Sequence, residues 1–321
     1  MGGDAKGYAA LAATVAVWGT AYPVTAVAEK FYSPVLIAAV RALVGGAFLA
    51  ALIRGRLRPS LKGFVAGAIN IAGMVTLLNL SIYLVPNPST AAVLIYTQPV
   101  FVALIYVLAL RRPMSALQAA GVAVGMAGVA ALSLAAGPDL LGVLLGLAGG
   151  LVWAVGTVYY ELNLASEDPV SATAFMSLSA SPLIMAFAPL GLWARVTPAS
   201  LLLLLYIAVV VHGAAWALWF YGVKRLGGVS ASTTAMLTPV VAIVSTELML
   251  REVMGPLELA AAALVVAGSL VSQLAGQWSR RGPRRELGAG TDQNRVEAKN
   301  DVAVAISGGP GRRRAHSGPM P

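Results

Sequence analysis

Ten stretches of about 20 predominantly apolar residues follow one another before residue 277, and at about 1.5 Å per residue each is long enough to cross a ~30 Å hydrocarbon core. They run at 7–28, 34–53, 63–84, 89–110, 115–135, 140–161, 169–193, 199–222, 230–250 and 255–276. Breaks fall at Ser33-Pro34, Arg58-Pro59, Pro86-Asn87-Pro88, Arg112-Pro113, Gly137-Pro138, Asp168-Pro169, Thr197-Pro198, Gly227-Gly228 and Gly255-Pro256, where proline and glycine end regular helix. The expected class is an all-α integral membrane protein with ten transmembrane helices. Composition closes the other routes: 58% of the 321 residues are hydrophobic and 11% charged, whereas a soluble domain carries roughly 25% charged residues. A soluble enzyme, a disordered chain and a nucleic-acid-binding domain are excluded.

The net charge of +9 does not reopen the nucleic-acid reading, because residues 278–321 alone hold nine Lys/Arg against four Asp/Glu. A basic tail on an apolar body is membrane-surface charge, so the lipid bilayer is the expected partner and nucleic acid is not. That tail, with its Gly-Pro steps and the triplet Arg312 to Arg314, has the composition of a disordered segment. Zero cysteines exclude disulfides, thiolate chemistry and cysteine-based metal sites. The first span resembles a signal peptide in position, but Asp4 and Lys6 precede it and further spans follow, so it is read as a retained helix.

Orientation follows from lysine and arginine. With a cytoplasmic N-terminus that side receives Lys6, Arg54, Arg56, Arg58, Lys62, Arg111, Arg112, Lys224, Arg225, Arg280, Arg281, Arg284 and Arg285, and the other side only Lys30, Arg195 and Arg251. Thirteen against three places both termini in the cytoplasm and the protein in the cell's plasma or inner membrane.

The two halves repeat. Pro99, Arg111, Met114, Leu117 and Gly128 recur as Pro239, Arg251, Met254, Leu257 and Gly268, each 140 positions later. Trp18-Gly19-Thr20 is answered by the stretch from Trp153 to Thr157, with a shift of two residues. Five helices per unit is an odd number, so the second copy enters the membrane upside down. The expected organisation is two inverted five-helix repeats, residues 1–138 and 139–277, followed by the basic cytoplasmic tail 278–321. Inverted repeats are a feature of secondary transporters, whose two similar halves exchange conformations around a central site.

Three runs give the chain a family likeness. Val17-Trp18-Gly19-Thr20, Thr97-Gln98-Pro99-Val100-Phe101, and the stretch from Trp219 to Leu226 continuing to Leu237-Thr238-Pro239-Val240-Val241 resemble the EamA family of the drug/metabolite transporter superfamily. The likeness extends over all ten spans. It implies a central cavity lined by the first four helices of each repeat with the fifth at the periphery, and export of small metabolites such as amino acids. An acidic residue usually follows the fourth helix of each repeat in that family; Glu252 fills the place in the second half, but Arg112 stands in the first.

Polar side chains inside a span are costly, which makes them candidates for a substrate path. Arg41 lies about 10 Å along the second helix from its start. It either snorkels to the headgroups or faces the cavity, pairing there with Glu247 or with a substrate carboxylate. An arginine at this place also resembles the family pattern. His212 has Trp216 and Trp219 at +4 and +7 on its own face. It is either an interhelical hydrogen bonder or a cavity group that titrates near neutral pH. Asn70 lies at comparable depth in the third span. Tyr96 and Gln98 stand before Pro99, whose missing N–H frees a carbonyl and suits a pocket wall. Trp18 and Trp153 sit mid-span, where they shape the cavity or simply pack. Gly121, Gly125 and Gly128 form a small-residue stripe that reads as helix packing. No Walker A, HExxH or GxSxG pattern occurs, so no ATP site, catalytic metal, catalytic residue or cofactor is expected. The function expected is alternating-access export of a small organic substrate, an amino acid or related metabolite. A lipophilic-cation or drug exporter is the alternative, disfavoured because no acid stands in the middle of a span, and a membrane-embedded transferase is the alternative from another class.

Overall fold

The computed structural model describes residues 2–109, 115–135 and 140–281. Arg111, Arg112 and most of the basic tail lie outside the described residues. The described residues form ten helices: α1 (Gly2–Ala28), α2 (Pro34–Leu52), α3 (Leu61–Leu84), α4 (Pro88–Leu108), α5 (Ala116–Ala135), α6 (Leu140–Asn163), α7 (Pro169–Leu190), α8 (Pro198–Gly228), α9 (Ser230–Leu250) and α10 (Pro256–Arg281). Eight are long and apolar enough to cross a membrane; in α5 and α10 the qualifying stretches, Ala116–Leu132 and Pro256–Ser272, are shorter. The punctuation read from the sequence starts the helices. Ser33, Asn87, Asp168 and Thr197 each precede a proline at the first helical turn, and each side chain accepts an N–H that the turn leaves unpaired.

Helices run up and down, so their loops gather at two ends. At the distal end, residues 29–33 meet residues 191–197: Tyr32 and Ala194 form an antiparallel bridge and the Tyr32 hydroxyl lies 2.7 Å from Ser200 Oγ. At the proximal end, where the chain begins, the Ser171 hydroxyl donates to the Arg56 carbonyl and Lys224 Nζ to the Glu167 carbonyl.

Five spans depart from regular α-helix, α7 by ending in a 3-10 turn over Met185–Leu190. Residues Ala68–Gly73 of α3 and Tyr206–Ala214 of α8 are π-helix. The α-helix also stops at Tyr96 in α4 and at Met236 in α9, resuming at Gln98-Pro99 and at Thr238-Pro239, because a proline cannot donate to the preceding turn. Helices α5 and α10 lie against each other backbone to backbone: a Cβ on Gly128 would come 2.7 Å from the Val265 amide, and Gly121 and Gly125 meet Gly268, Ser269 and Ser272 in the same way. The small-residue stripe is therefore packing surface.

Candidate functional site

Inside the bundle lies a narrow, partly open cavity, with about 450 Å³ of space between atoms when the solvent at its opening is counted. Its wall is made by Trp18, Tyr22 and Thr25 of α1, Arg41 of α2, Met74 to Ile82 of α3, Ile95 and Tyr96 of α4, Trp153 of α6, and Val211 and Trp216 of α8. On α1 these residues fall on one face because 18, 22 and 25 are spaced at +4 and +7. The contributions of α2, α3 and α4 come from their distal halves, and the tryptophans from mid-helix.

Those tryptophans are the floor. Trp18 is the hub, with ring centroids 5.6 Å from Trp153, 5.3 Å from Trp216 and 5.6 Å from Trp219. Tyr96 stands perpendicular to Trp153 at 5.2 Å. The geometries are edge-on or tilted, as the ring quadrupoles prefer. The Trp18 indole N–H donates to the Val211 carbonyl at 3.1 Å, so the hub is fastened to the π-helical stretch of α8. Below it, towards the proximal end, Phe220 stacks on Tyr160 at 4.0 Å, with Leu11 and Val223 buried beside them. The cavity thus lies on the distal side of a dry aromatic plug.

Arg41 faces this cavity and is only 3% exposed, which decides between the two sequence readings: it does not snorkel. Its Nε has no hydrogen-bond partner, and neither has the indole N–H of Trp153. The wall therefore presents unsatisfied donors in a setting where each is costly unless an acceptor arrives. The expected partner Glu247 is on the exposed face of α9, because Thr238, Ala242, Ser245 and Thr246 occupy the buried face. The acid whose charge reaches Arg41 is instead Glu29, just past the end of α1.

Of the eight residues expected at the site, Trp18, Arg41, Tyr96, Trp153 and Trp216 come together in this wall. Asn70, Gln98 and His212 are buried outside it. Asn70 Nδ2 donates to the Ala66 carbonyl within its own helix, while the amide fills the space over Gly156 of α6. Gln98 Nε2 donates to Thr157 Oγ1 at 3.1 Å, tying α4 to α6. His212 Nε2 is 3.0 Å from Ser177 Oγ, tying α8 to α7. Sequence reasoning passed over Tyr22 and Thr25, which the +4 and +7 spacing from Trp18 marks, and Glu29, the next position on that face at +11. Among the described residues no group of His, Cys, Asp and Glu could hold a metal ion.

Eight helices long and apolar enough to cross a membrane define a multi-pass membrane protein. The chain belongs to the EamA-like transporter family, which it matches over residues 5–134 and again over 140–273. Among its relatives, it is 28% identical to the uncharacterized transporter YvbV of Bacillus subtilis over 81% of this chain and 88% of that protein. It is 29% identical to the uncharacterized inner membrane transporter YedA of Escherichia coli K12, over 74% and 80% of the two chains. It is 27% identical to a protein of Streptantibioticus cattleyicolor named "Probable terminal-alkyne amino-acid exporter", over 82% and 91%. A solved crystal structure superposes with a TM-score of 0.64 at 21% identity, covering 86% of this chain and 99% of the other, a likeness of fold.

Proposed function

We propose that this protein is a secondary transporter that exports a small organic carboxylate, an amino acid or a related metabolite, by alternating access through the aromatic cavity. The observation that carries the reading is Arg41, buried in an apolar wall with an unsatisfied donor. A guanidinium in such a place matches a carboxylate in charge and in fork geometry, and the surrounding rings suit an apolar body. The Streptantibioticus cattleyicolor relative supports the amino-acid reading.

Alternating access is read from the two inverted repeats, 1–138 and 139–277. Three correspondences support them. The π-helical segments fall in α3 and α8, the third helix of each repeat; the interrupted spans are α4 and α9, the fourth of each; and α5 pairs with its counterpart α10. Orientation rests on charge: Lys6, Arg54, Arg56, Arg58, Lys62, Lys224 and Arg225 stand at the proximal end against Lys30, Arg195 and Arg251 at the distal end, which makes the proximal end and both termini cytoplasmic. The cavity then opens towards the outside when its mouth parts.

Purified protein in liposomes tests the reading. L-leucine loaded on one side is expected to cross in a protein-dependent way, and leucinamide, which lacks the carboxylate, is expected neither to cross nor to compete. Equal transport of the two would overturn the assignment of Arg41 as the anchor, and chemical conversion of leucine without flux would favour a membrane-embedded enzyme.

A further inference from the structure

The face of α1 that lines the cavity carries one more side chain than the wall uses. After Trp18, Tyr22 and Thr25 the same face reaches Glu29, and the helical turn persists that far, since the Glu29 N–H donates to the Thr25 carbonyl at 2.8 Å. Glu29 stands one residue past the distal end of α1, 5% exposed, and its Oε1 has no hydrogen-bond partner. Arg41 feels its charge, yet the ion pair that forms among the described residues is Arg58 with Glu167, on the proximal surface. A buried acid and a buried base thus lie within reach of each other's charge without forming an ion pair. An ionised carboxylate in such a place is costly unless it is paired. Glu29 is therefore either neutral or bound to Arg41. A substrate carboxylate needs the same guanidinium.

We propose that Glu29 is the release residue of this cavity: protonated, it leaves Arg41 free for the substrate's carboxylate, and when it gives its proton to water at the mouth it takes Arg41 and displaces the anion. The proposal rests on the reading of the cavity as a carboxylate site. One proton then accompanies each anion. The loaded site holds Arg41 positive, substrate carboxylate negative and Glu29 neutral; the empty site holds Arg41 positive and Glu29 negative. The carboxylate, Arg41 and Glu29 together are neutral in both states, and the ammonium of an amino-acid substrate adds one positive charge to the loaded state. Burial pushes the Glu29 carboxyl well above the usual carboxylate range, and the positive charge of Arg41 pulls it part of the way back. The other titratable groups around the pair are Tyr22 on α1, Tyr96 on α4 and His212 on α8, reached through one another's fields. Lys30 and Arg195 at the same end are exposed.

Calorimetry of L-leucine binding to the full-length protein, run in two buffers of different ionisation enthalpy, reads the proton directly. Wild type is expected to take up about one proton per leucine above the Glu29 titration, with affinity falling as pH rises through it. Glu29→Gln is expected to bind at the low-pH affinity at every pH with no uptake, and His212→Gln to behave as wild type. Retained uptake in Glu29→Gln, or its loss in His212→Gln, would overturn the proposal. A second measurement needs no ligand. The infrared band of a protonated carboxyl is expected to titrate in the empty wild-type protein, to be missing in Glu29→Gln and to move to higher pH in Arg41→Gln, where the opposing positive charge is gone. A band that does not move between wild type and Arg41→Gln sinks the link between the two residues whether or not leucine binds; a band that moves while leucine fails to bind removes the carboxylate reading of the cavity and leaves the Glu29 to Arg41 link standing.

Discussion

The two sides of the tryptophan layer are built from opposite materials. On the proximal side Trp219, Phe220, Tyr160, Leu11 and Val223 are buried in one cluster. On the distal side the same helices α1 and α8, joined by α2, α3 and α4, enclose a cavity into which Arg41 projects, with Glu29 one residue past the distal end of α1. The proximal side is held by ring packing, whose contribution scales with buried area. The distal side holds polar groups that the fold leaves unpaired, which lowers stability and creates an appetite for a ligand. In the proposed reading one half of the pathway is a seal and the other a receptor, and they respond differently to the same kind of cut.

The largest effect is expected in the seal. Phe220→Ala removes a ring stacked on Tyr160 and should cost about 3–5 kcal/mol of stability, read as a lowered denaturation midpoint in detergent; a loss no larger than that of a lipid-facing substitution would mean that the proximal side is not close-packed. Arg41→Gln should do the reverse, leaving the midpoint unchanged or raised while weakening leucine binding by about 2 kcal/mol, roughly thirtyfold. A variant that unfolds with its affinity intact would assign Arg41 to the scaffold. A smaller effect concerns pH. Because the folded-state value for Glu29 is raised above its usual 4.5, the folded protein binds more protons than the unfolded one above that pH. Stability should then fall as pH rises from about 4.5 through the folded-state value, and Glu29→Gln should flatten this fall. A wild-type midpoint that instead rises across that range would contradict the burial of this carboxyl. The smallest effect is expected at His212, which belongs to neither side: His212→Gln can still meet Ser177, so leucine affinity should change by less than about twofold, or 0.4 kcal/mol.

Much of the fold was legible because spans and their ends are written in short-range chemistry. Ser33-Pro34, Asp168-Pro169 and Thr197-Pro198 state where a helix starts whatever surrounds it. Depth was legible too, and this found Arg41, Trp18, Trp153 and Trp216. Rotation about the helix axis was harder to read. In a helix apolar all round, hydropathy does not distinguish the face towards a cavity from the face towards a neighbour. Gln98 and His212 have the depth of cavity residues and the rotation of interhelical ties, and Asn70 turns to pack over Gly156 of α6. Glu247 and Glu29 show the same limit in exchange: both stand near the distal end, and only the register of α9 and α1 sends one outward and the other in. The π-helical segments of α3 and α8 add a residue to a turn without any mark in the sequence, and they shift every later side chain around the axis.

The seam between α5 and α10 bears on motion. Where Gly121, Gly125 and Gly128 lie against Gly268, Ser269 and Ser272, main chain touches main chain. At these positions little side chain intervenes between the two backbones, so the layer is stiff against shear. Two bodies joined by such a seam can tilt about it but cannot slide along it. The pair is suited to be the axle of the machine, and its exactness of fit fixes where the two rims must meet each time the mouth closes.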